Sequence, residues 1–251
     1  MIAENLHFRW IFAFNPDLCG RIYGKIMALK AVLFDMDGVI VDSEPLHRKA
    51  FHRVFEDLGI HVPQEMYYSF SGAATRHIAD RLVDVFALNV APEQIMEAKR
   101  TYFRELFYND TEFDLLPGVR ELIGHYHKEG IKLVVASSAT RNTIAMVFDR
   151  FGLDPYFTGR ISGADLKASK PNPEIFIRAA ELADEPRENC MVIEDATNGI
   201  LAAHRAGIFC AAFKSPHTHL QDYSLAGLVV SDYRELWLDR VGEYFLNQNK
   251  N

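Results

Sequence analysis

Short apolar runs recur along the chain, and longer stretches with a helical pattern separate them. The runs cover 31–34, 131–136, 191–193, 208–213 and 227–230, with a shorter one at 159–162. Runs that are almost continuously apolar are typical of strands buried on both faces. Because helical segments lie between them, the pattern predicts βα units, a parallel sheet and the α/β class of fold.

Nearly a hundred residues between the first and second runs lack a comparable strand signal. Helical patterns there cover 44–58, 74–87, 92–108 and 118–128. Pro45, Pro92 and Pro117 stand at or near the predicted helix starts, where a missing N–H costs nothing. These helices predict a helical subdomain inserted after the first strand. We expect an α/β core at 28–44 and 116–245 and a helical insertion at 45–115.

The first 27 residues precede the first predicted strand. An apolar stretch at 10–14 is only five residues long and ends at Asn15-Pro16-Asp17. A secretory signal needs a longer apolar region between a positive start and a cleavage site. We therefore expect 1–27 to be an extension outside the fold.

Composition and charge exclude several classes of protein. Hydrophobic residues make up 49% and charged residues 24%, as in globular domains. The formal net charge of -7 argues against nucleic acid as a partner, and no apolar run is long enough to span a membrane. Three scattered cysteines favour neither a disulfide framework nor a zinc site and indicate the cytoplasm.

Polar side chains that could carry chemistry follow the predicted strands. Asp35 and Asp37 follow the first strand, and Gly38 allows an immediate turn. Two carboxylates at i and i+2 on an extended segment project in the same direction. Taken alone, this acidic turn is also common by chance. Ser137 ends the second run ahead of a helix, where it could hold an anion or cap the helix.

Two further segments complete the pattern. Lys170 precedes Pro171 and Pro173 in a stiff loop, and Glu194 and Asp195 follow a third buried strand. Ligands of open parallel sheets bind beyond the carboxyl ends of the strands. The polar residues that follow the strands would thus lie together at one edge of the sheet, and this joint occurrence is a stronger signal of a binding site than any single motif.

These motifs, in this order, resemble those of the haloacid dehalogenase superfamily. Gly199-Ile200 after Glu194-Asp195 adds to the resemblance, which covers about 28–236. It implies a Rossmann-like parallel sheet core with an inserted α-helical cap. Within the superfamily the chain is similar to β-phosphoglucomutases and small sugar-phosphate phosphatases. An acid at Asp37 implies phosphoryl transfer, because true dehalogenases lack it.

The resemblance implies a role for each motif residue. Asp35 would be the nucleophile that forms an aspartyl phosphate, and Asp37 the general acid and base. Mg²⁺ would be held by Asp35, the Asp37 carbonyl and Asp195, with Glu194 beside them. Phosphate and substrate would be bound by further residues of the core, namely Ser137, Ser138, Lys170, Gly38 and Asn142.

The cap would select the substrate. His47 lies twelve residues after Asp35, where both β-phosphoglucomutases and related phosphatases carry a histidine, although a surface histidine is an alternative. Arg76 stands four residues after Gly72, whereas the mutases have an arginine three residues after that glycine. Lys99 could reach the substrate or belong to a charged outer face with Arg100. No lysine of the cap stands out as the Schiff-base lysine of a phosphonatase.

Three functions follow as hypotheses. The first is a Mg²⁺-dependent phosphatase of a small phosphorylated metabolite, with a sugar phosphate expected. The second is a β-phosphoglucomutase that returns the phosphoryl group to a bisphosphate intermediate. The third is a non-enzymatic binding protein on the same fold. We expect the protein to be a monomer.

Overall fold

A computed structural model describes residues 29–70, 75–215 and 221–242. The predicted extension at 1–27 and Gly72 of the predicted cap loop lie outside the described residues. Within them, six strands form one sheet: β1 (Ala31–Phe34), β2 (Lys132–Ser137), β3 (Gly159–Ser162), β4 (Cys190–Glu194), β5 (Phe209–Phe213) and β6 (Leu228–Val230).

All strand pairs of the sheet are parallel, and the strand order is β3-β2-β1-β4-β5-β6. The six predicted apolar runs are therefore confirmed as strands, and the α/β prediction is confirmed. Along the chain, β2 and β3 are added on one side of β1. The direction then reverses, so that β4 lies on the other side of β1. This reversal makes the carboxyl ends of β1 and β4 the point where such sheets bind ligands.

Eight α-helices occur in the described residues: α1 (Glu44–Asp57), α2 (Gln64–Tyr68), α3 (Thr75–Phe86), α4 (Pro92–Asn109), α5 (Val119–Lys128), α6 (Arg141–Phe151), α7 (Glu174–Leu182) and α8 (Thr197–Ala206). The four helical patterns of the sequence correspond to α1, α3, α4 and α5. The sequence pattern does not predict the short helix α2, since five residues carry no helical period. None of these helices is both long and apolar enough to cross a lipid bilayer.

The side chains of each strand point alternately into two apolar layers, one on each face of the sheet. Ala31 and Leu33 of β1 belong to a buried cluster with α7 and α8. On the opposite face, the Phe34 ring meets Phe157 edge-on at 5.8 Å, and Phe157 in turn meets Phe148 of α6 at 5.1 Å. Burial on both faces explains why the sequence of β1 is apolar at every position.

The structure divides into two compact units, one formed by the described parts of 1–41 and 115–251 and the other by those of 42–114. The predicted limits of the cap, 45 and 115, lie within three residues of the second unit's limits. As domain boundaries they stay a prediction. The second unit has its own apolar cluster, which includes Phe51 and Phe55 of α1, Leu82 of α3 and Ile95 of α4.

Candidate active site

Asp35 lies directly beyond the end of β1, at the reversal point of the sheet. Its backbone N–H donates to the Ile193 carbonyl of β4 at 2.9 Å, which extends the β1–β4 pairing by one residue. Its side chain is buried, with 7% of the residue exposed. The parallel sheet therefore fixes the backbone position of Asp35.

The Lys170 ammonium bridges two carboxylates. Its Nζ lies 2.6 Å from Asp35 Oδ1 and 2.8 Å from Glu194 Oε1. All three side chains are buried, at exposures of 7%, 10% and 2% for Lys170, Asp35 and Glu194. Charged hydrogen bonds of this kind are stronger than neutral ones, and breaking a buried ion pair is costly. The loop before α7 thus delivers a fixed positive charge to Asp35.

The pKa values of this cluster reflect burial first and the charges of neighbouring groups second. Burial raises the pKa of Asp35 well above its usual range, the Lys170 ammonium opposes this, and the Glu194 carboxylate adds to it. Burial alone would lower the pKa of Lys170, but the Asp35 and Glu194 carboxylates outweigh it and raise that pKa. Lys170 therefore stays protonated, while Asp35 needs more positive charge to ionise easily.

Glu194 is held from two sides. Its Oε1 accepts from Lys170, and its Oε2 accepts from the Ala196 N–H at 2.6 Å. A Cβ at Gly199 of α8 would lie 1.6 Å from Glu194 Oε1. Only a glycine lets the first turn of α8 pass this close to the carboxylate.

Asp195 lies against the turn that follows Asp35. Gly38 has φ +82, and a Cβ there would come within 2.1 Å of Asp195 Oδ2. The Gly38 N–H donates to the Val41 carbonyl at 2.7 Å, which closes the turn. Position 38 thus requires a glycine for two reasons: its positive φ and the space that the Asp195 side chain fills. The second reason has no signal in the sequence.

Asp37 lies in the same turn and is half-buried. It forms an isolated bridge with Val41. The loop is further tied down by the buried Tyr233 hydroxyl, which donates to the Val39 carbonyl. No local sequence pattern points to Tyr233, because it lies far along the chain in a short 3₁₀ turn after β6.

Ser137 ends β2 and is 2% exposed. Its Oγ accepts from the Ala139 N–H at 3.1 Å. The alternative that it caps α6 is wrong, because Thr140 is the N-cap and accepts from the Thr143 N–H at 3.3 Å. Ser138 is exposed in the same loop. Asn142 is exposed on α6, and its Nδ2 contacts Met146 Sδ at 3.5 Å.

Within the second unit, Lys99 of α4 and His47 of α1 form a pair. Their Nζ and Nδ1 atoms are 2.8 Å apart, and the His47 ring stacks on Phe103 at 4.4 Å. Burial, followed by the nearby Lys99 charge, lowers the pKa of His47 to about 3. Burial lowers the pKa of Lys99 to about 8. His47 is therefore neutral and accepts the hydrogen bond from Lys99.

One of the two alternatives for Lys99 is wrong. It does not belong to a charged outer face, because it is 8% exposed and its Nζ lies 4.8 Å from the Phe103 ring centroid. Arg100 does lie outside, paired with Glu97 at 2.9 Å.

Arg76 of α3 is exposed and ion-paired. Its Nε lies 2.9 Å from Asp80 Oδ1, and its Nη1 lies 2.7 Å from Glu93 Oε1. Both partners belong to the second unit. Pairs this exposed contribute little to stability, so Arg76 can exchange them for another anion.

The carboxylates of the core fit a hard divalent cation. Lys170 pairs with Asp35 and Glu194, and the Asp195 carboxylate is near enough to Asp35 to raise its pKa further, so that negative charge is in excess. Oxygen ligands without Cys or His favour Mg²⁺. In the part of the chain that the structure describes, no three His, Cys, Asp or Glu side chains are grouped to bind a metal. In the predicted set, Asp37 would contribute a backbone carbonyl and not its side chain, and Glu194 is paired with Lys170.

Comparison with known proteins identifies the family of this site. A family model for haloacid dehalogenase-like hydrolases matches residues 29–207, which include every core residue of the predicted motifs. The chain belongs to the haloacid dehalogenase-like hydrolases. The predicted family is therefore confirmed, and the chain is an enzyme. The alternative of a non-enzymatic binding protein is wrong.

Relatives within the haloacid dehalogenase-like hydrolases include two named enzymes. The phosphorylated carbohydrates phosphatase of Thermotoga maritima is 32% identical over 184 residues, 72% of this chain and 82% of the relative. The β-phosphoglucomutase of Bacillus subtilis is 30% identical over 220 residues, 86% and 95% of the two chains. A mutant of CbbY from Rhodobacter sphaeroides, solved with xylulose-(1,5)bisphosphate, has a TM-score of 0.68 at 25% identity and covers 83% of this chain and 96% of its own.

Proposed function

We propose that this hydrolase is a Mg²⁺-dependent phosphatase that removes the phosphoryl group from a small phosphorylated metabolite, a sugar phosphate by preference. The observation that carries the proposal is the buried Asp35 carboxylate, fixed beyond β1 and 2.6 Å from Lys170. An anionic nucleophile beside a fixed cation suits attack on a phosphate ester.

In the proposed reaction, an Asp35 oxygen attacks phosphorus, and the bond from phosphorus to the leaving oxygen breaks. Asp37 gives its proton to that oxygen, so that an alcohol leaves and an aspartyl phosphate remains. Asp37 then takes a proton from water as the water oxygen attacks phosphorus. The bond from phosphorus to the Asp35 oxygen breaks, inorganic phosphate leaves, and the Asp35 carboxylate is restored. Each proton transfer of this type contributes about 10²- to 10⁴-fold to the rate.

The phosphoryl oxygens need positive partners during transfer. Lys170 supplies one charge, and the Ser137 hydroxyl with the N–H groups of the following loop, including Ser138, would supply hydrogen bonds. When bound, Mg²⁺ would neutralise charge on both the carboxylates and the phosphate. Asp35, Asp195 and the Asp37 carbonyl would hold it. Glu194 would position Lys170 and thereby orient Asp35.

The substrate class follows from the relatives and from the cap. The two named relatives act on phosphorylated carbohydrates or phosphoglucose, and the solved neighbour holds a sugar bisphosphate. We propose that the Lys99–His47 pair binds the part of the substrate that is not transferred, with Arg76 as a further contact. An ammonium held by a neutral imidazole can donate its remaining N–H bonds to sugar hydroxyls or a second phosphate.

A β-phosphoglucomutase is the second candidate. The Bacillus subtilis relative favours it, whereas the spacing of Arg76 does not. His47 separates the two candidates poorly, because related phosphatases carry the same histidine. Incubation with β-glucose 1-phosphate and a trace of the bisphosphate separates the two. Glucose 6-phosphate indicates the mutase, and free phosphate without it indicates the phosphatase.

The test of the shared chemistry is Asp35→Asn. We expect turnover to fall by at least about 10³-fold, because an amide is a poor nucleophile for phosphorus. Circular dichroism should show an intact fold. Mass spectrometry of acid-quenched wild-type enzyme should find the phosphoryl group on the peptide that contains Asp35.

Asp149→Asn on the exposed face of α6 is the matched control, with the same chemical change away from the site. It should keep wild-type activity. Wild-type turnover by Asp35→Asn would contradict the aspartyl-phosphate proposal.

A further inference from the structure

A cavity of about 380 Å³ lies beside β3, at the edge of the sheet. Its lining residues come from α6, from β3 with the short turn that follows it, and from α7. Pockets for small molecules occupy about 300–1,000 Å³. None of the proposed catalytic residues is among its lining residues, so the cavity is separate from the Asp35 cluster.

Three arginines from three different elements line this cavity. Arg141 begins α6, Arg160 lies on β3, and Arg178 lies on α7, whereas Asp165 is the one acidic residue in the lining. The lining itself therefore holds more positive than negative side chains, and each of the three guanidinium groups also has a carboxylate partner. Guanidinium groups bind carboxylates and phosphates through two parallel hydrogen bonds.

Two of these arginines are paired with carboxylates at the surface. Arg141 Nε lies 2.5 Å from Asp165 Oδ2, and Arg178 Nη2 lies 2.6 Å from Glu174 Oε1. The side chains of Arg141 and Arg178 are 82% and 54% exposed. Ion pairs this exposed contribute little to stability, so a bound anion can replace the carboxylates at small cost.

Apolar side chains complete the lining. Ile144, Ile161 and Leu166 face the cavity together with the arginines. Arg160 is paired with Asp154 and is held in place because its guanidinium stacks on the Phe148 ring, 4.2 Å from the centroid. A ligand that satisfies this lining has anionic groups joined by a short carbon chain.

We propose that this cavity binds a small metabolite with two anionic groups, carboxylate or phosphate, as an effector. Its position suits such a role. Ser162 in the lining donates to the Ala139 carbonyl at 2.7 Å, in the loop that follows Ser137. Asp165 lies five residues before Lys170. An anion in the cavity therefore contacts residues adjoining both loops of the proposed active site.

The test is isothermal titration calorimetry of the full chain without Mg²⁺. The probes are succinate, with two carboxylates, and 2-carboxyethylphosphonate, with one carboxylate and a phosphonate that cannot be hydrolysed. We expect at least one probe to bind wild type with a Kd below about 10 mM. The probe that binds more tightly identifies the preferred anionic group.

Arg160→Gln/Arg178→Gln should weaken that binding by at least about tenfold, because charge-assisted hydrogen bonds are lost. Arg234→Gln is the control, since Arg234 is likewise an arginine paired with a carboxylate, Asp232, and lies away from the cavity lining. Its Kd should equal that of wild type. If the glutamine variant melts early, Arg160→Lys/Arg178→Lys keeps both charges and should still lose at least about threefold.

Three outcomes would overturn the proposal. They are no binding to wild type, unchanged binding by a folded Arg160→Gln/Arg178→Gln variant, or an equal loss in Arg234→Gln. Because the measurement involves no turnover, its result is independent of the test at Asp35.

Discussion

Gly199→Ala should disable the enzyme without touching any group proposed to contact substrate. The new Cβ would lie 1.6 Å from Glu194 Oε1 and 1.9 Å from its carboxyl carbon. Separations below 3.0 Å essentially never occur, so the Glu194 carboxylate must move by at least about 1.4 Å. The hydrogen bonds from Lys170 and the Ala196 N–H, at 2.8 and 2.6 Å, cannot survive such a shift.

The expected loss of stability follows from these contacts. Breaking a buried ion pair costs about 3–5 kcal/mol, and we expect about 3 kcal/mol because Glu194 is displaced and not removed. For a chain of this size, the melting temperature should fall by about 6–12 °C. Activity should fall by about 10²-fold, since Lys170 and with it Asp35 lose their positions.

The assay combines thermal melting with hydrolysis of a sugar phosphate. Gly124→Ala in α5 is the matched control, because a Cβ there meets no atom within 4 Å. Replacing that helical glycine should stabilise the protein by up to about 1 kcal/mol. A Gly199→Ala variant that melts and turns over like wild type would refute the reasoning.

A double-mutant cycle tests the cause of the effect. Glu194→Ala removes the atoms that a Cβ at 199 would meet, so Gly199→Ala should cost almost nothing further in that background. If the two losses simply add, the clash with Glu194 is not their origin.

Three further predictions concern other contacts. Burial lowers the pKa of Lys99 to about 8, so KM should rise as pH increases through that value and the ammonium is lost. Lys99→Met should abolish this rise in KM, and exposed Arg100→Met is the control that should keep it. A Lys99→Met profile of KM against pH like that of wild type would contradict substrate binding by Lys99. Tyr233→Phe removes a buried hydrogen bond and should cost about 1–3 kcal/mol in denaturant unfolding; an unchanged midpoint would exclude that contribution. Chelation by EDTA should stop hydrolysis until Mg²⁺ is added, because negative charge around Asp35 is then uncompensated, and hydrolysis that continues in EDTA would disprove a need for the metal.

The strands could be predicted well from the sequence because the sheet is buried on both faces. Near-continuous apolar runs such as β1, separated by helical segments, are typical of the central strands of a parallel sheet. The polar side chains that follow those strands could be predicted in the same way. The pairing of Asp35 with Lys170 depends on tertiary structure, since 135 residues separate them.

Other features of the site have no signal in local patterns. Lys99 has charged neighbours on α4, and its burial comes from Phe51 and Phe103, which helical periodicity alone does not place around it. Gly199 belongs to a recognisable motif, but the need for a glycine there comes from the space taken by Glu194. Both cases depend on how elements pack, and packing is not encoded in residue type at one position.

The hydrogen bond from Tyr233 to Val39 also has a consequence for folding of the enzyme during its synthesis. Its partners are 194 residues apart, so at about 5–20 residues per second the ribosome needs about 10–40 s to deliver the second after the first. The flanking strand β4 arrives only shortly before. A nascent chain therefore carries the proposed nucleophile Asp35 long before Tyr233 has emerged, and the loop that follows Asp35 lacks this hydrogen bond until then.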